Sequence, residues 1–250
     1  MTYLKYLSCL STLVLTLSVE LMSFSLAAPP PRAQSTRVNV RFPPTTSVGA
    51  PARTAGGGRR SVVSCVTGKT PLTALAPTNN VGTTVSANPT LFLFVPETIA
   101  ESAEFILVDE QGNDIYETSV AIDGTPGVVK LNLPATVSLE AGKQYLWQFA
   151  LICDPEFRLP DEAVQGLLER TELSPQQQRQ VAQFAEPLKQ AEAYAQARIW
   201  QETIAILAKL HQARPNDPVV TEAWKELLNS VQLEEAIVTA PLVDCCTAEN

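Results

Sequence analysis

This chain of 250 residues contains one histidine, His211. A zinc site needs three or four His, Cys or acid ligands in a set spacing, and a serine or cysteine nucleophile needs a base beside it. No G-x-S-x-G segment supplies such a setting. His211 falls late in a helix-type run beside Lys209 and Arg214, where a cation near a helix end is ordinary. Basic residues are also short: 18 Lys and Arg against 26 Asp and Glu leave a net charge of −8. The deficit is uneven. Residues 29–64 carry six arginines (32, 37, 41, 53, 59 and 60) and no acid, whereas residues 65–172 carry five basic residues against fifteen acidic ones. An acidic folded region argues against nucleic acid as a partner, because phosphate binding wants Lys and Arg gathered on one face. Gly56-Gly57-Gly58 follows no strand and is closed by no Lys-Ser/Thr, so it is not a phosphate loop. The acidic turn 109–114 lacks the spacing of a calcium loop, and its Gly112-Asn113 is ordinary hairpin chemistry.

What is present falls into five stretches. Residues 1–27 read as a signal peptide: Lys5 is the positive start, residues 7–26 are mostly apolar, and Ser25-Leu26-Ala27 offers small residues where a signal peptidase reads. The competing reading is a retained membrane anchor, against which Glu20 and the weakly charged flanks count. Residues 28–64 read as a disordered basic linker, too poor in apolar side chains to offset its chain entropy. It serves either as a plain flexible arm or as an electrostatic attachment to anionic envelope polymer, membrane or the chain's own acidic part. No transmembrane segment is expected after cleavage, and no cofactor is indicated.

Residues 65–173 carry short β-type runs separated by turn residues. The runs are 90–95, 104–108, 115–122, 128–133, 143–153 and 164–169. Residues 143–153, K-Q-Y-L-W-Q-F-A-L-I-C, place Tyr145, Trp147, Phe149, Leu151 and Cys153 on one face and a nearly apolar set on the other. This strand is therefore expected to be central and covered on both sides. Six or seven short strands with a Trp on a central one predict an antiparallel, immunoglobulin-like β-sandwich. From Ser174 the period becomes helical, giving a small helical tail over 174–240 and an α+β chain. Ser174, Pro175 and Gln177 form a capping-box start, with the helix running to about residue 185. Further helices are expected from Pro187, over 200–213, and from Asp217-Pro218, ahead of a flexible terminus, 241–250.

Two resemblances follow from named residues. Tyr194, Trp200, Thr203-Ile204, Leu207, Leu210 and Pro215-Asn216-Asp217 are similar to the second half of a tetratricopeptide repeat. Some one and a half such units cannot stand alone, since solenoids need roughly three. Trp200 and Trp224 are candidates for a partner surface, with packing against the sandwich as their other role. The mature chain also resembles a family of secreted cyanobacterial proteins of unknown function. The residues that carry this are Gly56-Gly57-Gly58-Arg59, Pro71-Leu72-Thr73-Ala74-Leu75, Pro89-Thr90-Leu91-Phe92, Asp109-Glu110-Gln111-Gly112, Tyr145-Leu146-Trp147 and Cys153-Asp154-Pro155. The resemblance implies an envelope or extracellular location and brings no assigned activity.

Cysteine usage fits export. Cys65 opens the sandwich and Cys153 ends its central strand, and an oxidising compartment would permit a bridge, worth roughly 4–5 kcal/mol in the chain-entropy model. The alternative is two buried free thiols. Cys245 and Cys246 are left open between a vicinal bridge, a link to another molecule and no bond. The sequence thus predicts an exported, non-enzymatic binding or scaffold module, contacting an envelope protein or an anionic envelope polymer. The alternative is a carboxylate-dependent envelope hydrolase, recognisable by two carboxyls with raised pKa values converging in one pocket. Cleavage after Ala27 should leave a mature chain starting at Ala28. Intact-mass measurement of the cellular protein checks this, and a mass that includes residues 1–27 would establish an anchor instead.

Overall fold

A strand that is apolar at successive positions needs cover on both sides. β3 (Thr90–Val95) is such a strand, and every residue after Thr90 is buried. The computed structural model of the chain describes residues 39–45, 64–158 and 162–243. All of these belong to one compact unit, Arg37–Asn250, of mixed α+β content. The expected signal peptide, most of the linker and Cys245-Cys246 lie outside the described residues. Among those described, no helix is long and apolar enough to cross a membrane.

Eight strands make two sheets. β1 (Thr73–Ala74), β3 and β6 (Gly127–Asn132) form a three-stranded sheet in the order β1-β3-β6. The second sheet is ordered β2-β8-β7-β4-β5, with β2 (Val81–Thr84), β4 (Ser102–Val108), β5 (Asp114–Ala121), β7 (Gln144–Ile152) and β8 (Glu162–Arg170). Every pairing is antiparallel except β2 with β8, which is parallel. The larger sheet is therefore mixed, which corrects the purely antiparallel expectation. β1 and β2, at two and four residues, are too short to show a period in sequence.

The two sheets meet face to face around one core. Leu91, Leu93, Val95, Val129 and Leu131 from the smaller sheet pack with Phe105, Leu107, Tyr145, Trp147, Phe149 and Leu168 from the larger. The Trp147 indole lies over Gly166, its cross-strand partner, where a Cβ would come within 2.7 Å of the ring. At the entry to β7 the Tyr145 hydroxyl accepts a hydrogen bond from Glu140 N at 2.9 Å. β7 is central, between β8 and β4. It is not covered on both sides, however: Leu146 and Gln148 are exposed on its outer face. An antiparallel sheet tolerates one solvated face, and the inward Tyr145, Trp147, Phe149 and Leu151 supply most of the buried positions of β7.

Among the described residues five helices follow: α1 (Pro175–Ala182), α2 (Pro187–Gln196), α3 (Trp200–Ala213), α4 (Pro218–Ser230) and α5 (Glu235–Val238), of which α2 to α5 share a core with the other side of the smaller sheet. The capping box forms at Ser174 and Gln177, and the Asp217 side chain caps α4. α1 stops sooner than the expected residue 185, and Glu186 before Pro187 is extended, as a residue preceding proline prefers. Phe92, Phe94 and Val128 pack with Ile204 and Leu207 of α3 and with Leu227 and Leu228 of α4 in a second core. β3 thus lies between two cores, and the chain is three layers deep.

Polar contacts fix α3 to the sheets. The Trp200 indole donates to Leu75 O at 2.8 Å. Glu202 Oε1, in the first turn of α3, accepts from Thr84 Oγ1 at 2.8 Å, Val85 N at 3.1 Å and Ser86 N at 3.0 Å. Carboxylate-accepted bonds are among the stronger ones.

Residues 39–45 correct the expectation of a disordered linker over that part of 28–64. Val40 and Phe42 are buried in the second core. Phe42 meets Trp200 edge to face, with ring centroids 5.2 Å apart. Its N–H donates to Ser230 Oγ at 2.9 Å, and Arg198 Nη1 donates to Pro44 O at 3.2 Å. The average composition of the stretch conceals two apolar side chains spaced two residues apart, which an extended segment turns the same way. Phe42→Ala should lower the unfolding free energy by about 3 kcal/mol. Denaturant unfolding followed by tryptophan fluorescence checks this, and an unchanged midpoint would show that the segment does not dock in solution.

Candidate functional site

The helix layer does not cover the smaller sheet evenly. Where α3 passes over β6 its facing residues are Ala205 and Ala208, and a cleft of about 410 Å³ opens beneath them. Its floor is the helix-facing side of the sheet: Thr90 and Phe92 from β3, with Val128, Lys130 and Asn132 from β6. Its far wall holds Lys209 and Gln212 from α3 and Leu242 and Val243 from the segment after α5. Among the described residues two lysines line it and no carboxylate does, in a chain whose net charge is −8. Thr90 Oγ1 and Asn132 Oδ1 are hydrogen-bonded at 2.7 Å at one end. Apolar side chains such as Phe92 and Val128 beside a few convergent polar groups are the usual make-up of a ligand site.

The segment after α5 closes one side by pairing on the edge of β6. Leu242 bridges Val128 in parallel. Val128 N donates to Pro241 O at 2.8 Å, and Val243 N donates to Val128 O at 2.9 Å. Gly127 permits this approach, since a Cβ there would lie 2.8 Å from both Pro241 O and Val243 Cγ1.

Sequence reasoning did not single out these residues. The available signal was the helix-facing row of β6, where Lys130 and Asn132 follow Val128 as polar members of a face that is otherwise buried. Trp200 and Trp224, offered as partner-surface candidates, are 0% and 1% exposed. Neither can touch a partner, because Trp200 lies under Phe42 and Trp224 packs in the second core beside His211, 5.8 Å ring to ring. Cys65 and Cys153 are joined by a disulfide with Cα atoms 5.2 Å apart. A second hollow of about 280 Å³ lies between α1 and α2, lined by Gln180, Gln183, Gln196, Phe184 and Ala193 together with Lys189 and Glu192, which pair with each other at 3.0 Å.

Asp109, His211 and Glu162 are each shifted by their surroundings. Asp109 is held below its ordinary value by the Asn113 side chain, and both its oxygens are engaged within the 109–114 turn. Burial lowers the His211 pKa from its ordinary value. Burial raises the Glu162 carboxyl, with a smaller opposing pull from the Ser64 hydroxyl. Its Oε2 is buried without a partner. Among the described residues no group of three His, Cys, Asp or Glu is placed to hold a metal ion.

Compared with known proteins, residues 55–242 match the family described as Domain of Unknown Function (DUF928). No curated protein matches the sequence.

The Glu162 environment sets a pH dependence. A carboxyl raised in the folded state holds its proton more tightly there than in the unfolded chain. Its burial penalty is absent below the ordinary value of 4.5 and grows as pH rises through the folded value. Glu162→Gln should therefore raise the thermal midpoint near pH 7 and leave it unchanged near pH 3.5. Equal shifts at the two pH values would remove the charge explanation.

Proposed function

The chain belongs to the DUF928 family, and from that premise we propose that it is an exported cell-envelope protein acting as a non-enzymatic binding or scaffold module, with the cleft between β6 and α3 as its ligand site. One observation carries this reading: in an acidic chain the described residues of the cleft set two lysines, and no acid, beside the apolar Phe92 and Val128. The chemistry that fits is an extended chain bearing a carboxylate, on an envelope protein or an anionic envelope polymer. Its apolar part would lie on Phe92 and Val128 and its charge against Lys130 and Lys209. Export is supported by the signal-like residues 1–27 and by the Cys65–Cys153 bridge, since such bonds persist in oxidising compartments.

A finer reading of the fold supports the same class. We take the face-packed sheets as immunoglobulin-like. Their orders, β1-β3-β6 and β2-β8-β7-β4-β5, suit a first strand divided between two sheets. The Tyr145 hydroxyl bound to a backbone N–H five residues upstream is the corner such sandwiches use. Trp147 on β7 and the position of the disulfide depart from the antibody pattern. α2 and α3 pair like the helices of one tetratricopeptide unit, with the sheet standing where the next repeat would stack.

The hydrolase alternative requires two converging carboxyls, and Glu162 by itself is the feature that speaks for it. The test is a photo-activatable residue at Gln212, on the cleft rim, with one at Glu117 on β5 as control, in cells that make the protein. Cross-links to an envelope component from position 212 and not from 117 are expected. They should be lost on Lys130→Glu with Lys209→Glu. Absence of any cross-link at 212 would overturn the assignment of the cleft.

A further inference from the structure

The hollow between α1 and α2 differs in chemistry from the cleft and shares no residue with it. It sets Gln180, Gln183 and Phe184, from α1 and the turn that ends it, against Lys189, Glu192 and Gln196 of α2. Apolar burial does not explain α1, whose one buried residue, Val181, belongs to neither core. The glutamines of this region divide into two kinds. Gln177 closes the capping box, Gln178 donates to Leu173 O at 3.0 Å and Gln190 donates to Phe184 O at 2.7 Å. These are spent on holding the helix start and the turn, and the Gln190 bond fixes the backbone that carries Phe184. Among the described residues the side-chain amides of Gln180, Gln183 and Gln196 have no protein partner, and these are the three that line the hollow.

We propose that this hollow binds an uncharged sugar ring, as a free saccharide or as one unit of an envelope glycan. The site stands apart from the cleft and does not rest on the reading given to it above. Charge decides against an ion. Lys189 and Glu192 pair with each other at 3.0 Å with their side chains mostly buried, so an anion would have to break the pair to reach the lysine, and a cation to reach the acid. Size decides against a long segment: about 280 Å³ lies at the small end of ligand pockets. The polar groups then choose among small neutral ligands. Each glutamine amide offers an acceptor oxygen and two donor hydrogens, which neighbouring hydroxyls, themselves donors and acceptors, satisfy in pairs. The ring's C–H face needs an apolar surface, and Phe184 supplies a flat one.

Nuclear magnetic resonance titration of the full mature chain tests this. The probes are glucose, galactose, mannose and N-acetylglucosamine, each with its disaccharide, and glucuronic acid and glucosamine as charged controls. At millimolar concentration at least one neutral sugar should shift the side-chain amide signals of Gln180, Gln183 and Gln196 and the ring signals of Phe184. The charged controls should leave them in place. Gln183→Ala with Gln196→Ala should weaken binding by about tenfold or more, the loss of two ordinary hydrogen bonds. Both positions are exposed, so the thermal midpoint should stay the same. Phe184→Leu should weaken binding by about two- to tenfold, the worth of a stacked aromatic face. A disaccharide that binds more tightly than its monosaccharide assigns the site to a glycan, and equal binding assigns it to a free sugar. Silence of these signals toward every neutral sugar overturns the proposal. So do equal shifts with the charged controls, or binding that the double variant leaves intact.

Discussion

β3 is buried on both faces, and that constraint organises the rest. Leu91, Leu93 and Val95 lie in the core between the sheets, while Phe92 and Phe94 lie in the core under the helices. A strand of this kind cannot end at a solvated surface, since two phenylalanines left in water would forgo several kcal/mol of burial. The helices have the same need in reverse, because α3 and α4 carry apolar stripes that three turns of helix cannot hide from water. Each layer supplies the cover that the other lacks. This is why the helical part is continuous with the sheets and does not form a second body.

The cover is secured by polar groups at its edges and completed by a segment distant in sequence. Glu202 satisfies three donors at the end of β2, and the Trp200 indole satisfies Leu75 O. Both bonds tie the start of α3 to the sheets. Phe42 then closes the opposite side of Trp200. Farther along α3 the facing residues shrink to alanine, and the same geometry that seals one end leaves the cleft open at the other. Lys130 and Lys209 line that opening.

Much of this was legible in sequence where a period ran for six or more residues. The bounds of β3 and α3 read from the pattern coincide with those observed, and the capping residues Ser174 and Asp217 do what their chemistry implies. Short or irregular pieces were not legible. β1 and β2 are too brief to show alternation, and their placement decides that one sheet is mixed. The outer face of β7 looked apolar, but nothing in a local pattern says whether a second layer exists to cover it.

The sequence by itself determined the class of each segment, the inward aromatics and the charge imbalance, because these depend on neighbours a few residues apart. Only the tertiary structure decided that Val40 and Phe42 leave a polar stretch to enter a core, that Trp200 and Trp224 are interior, and that Lys130 and Lys209 line one cleft with Phe92. Those facts join residues from about 70 to more than 150 positions apart. Such contacts are selected by which buried surfaces remain uncovered once the layers have formed, and no local period records that.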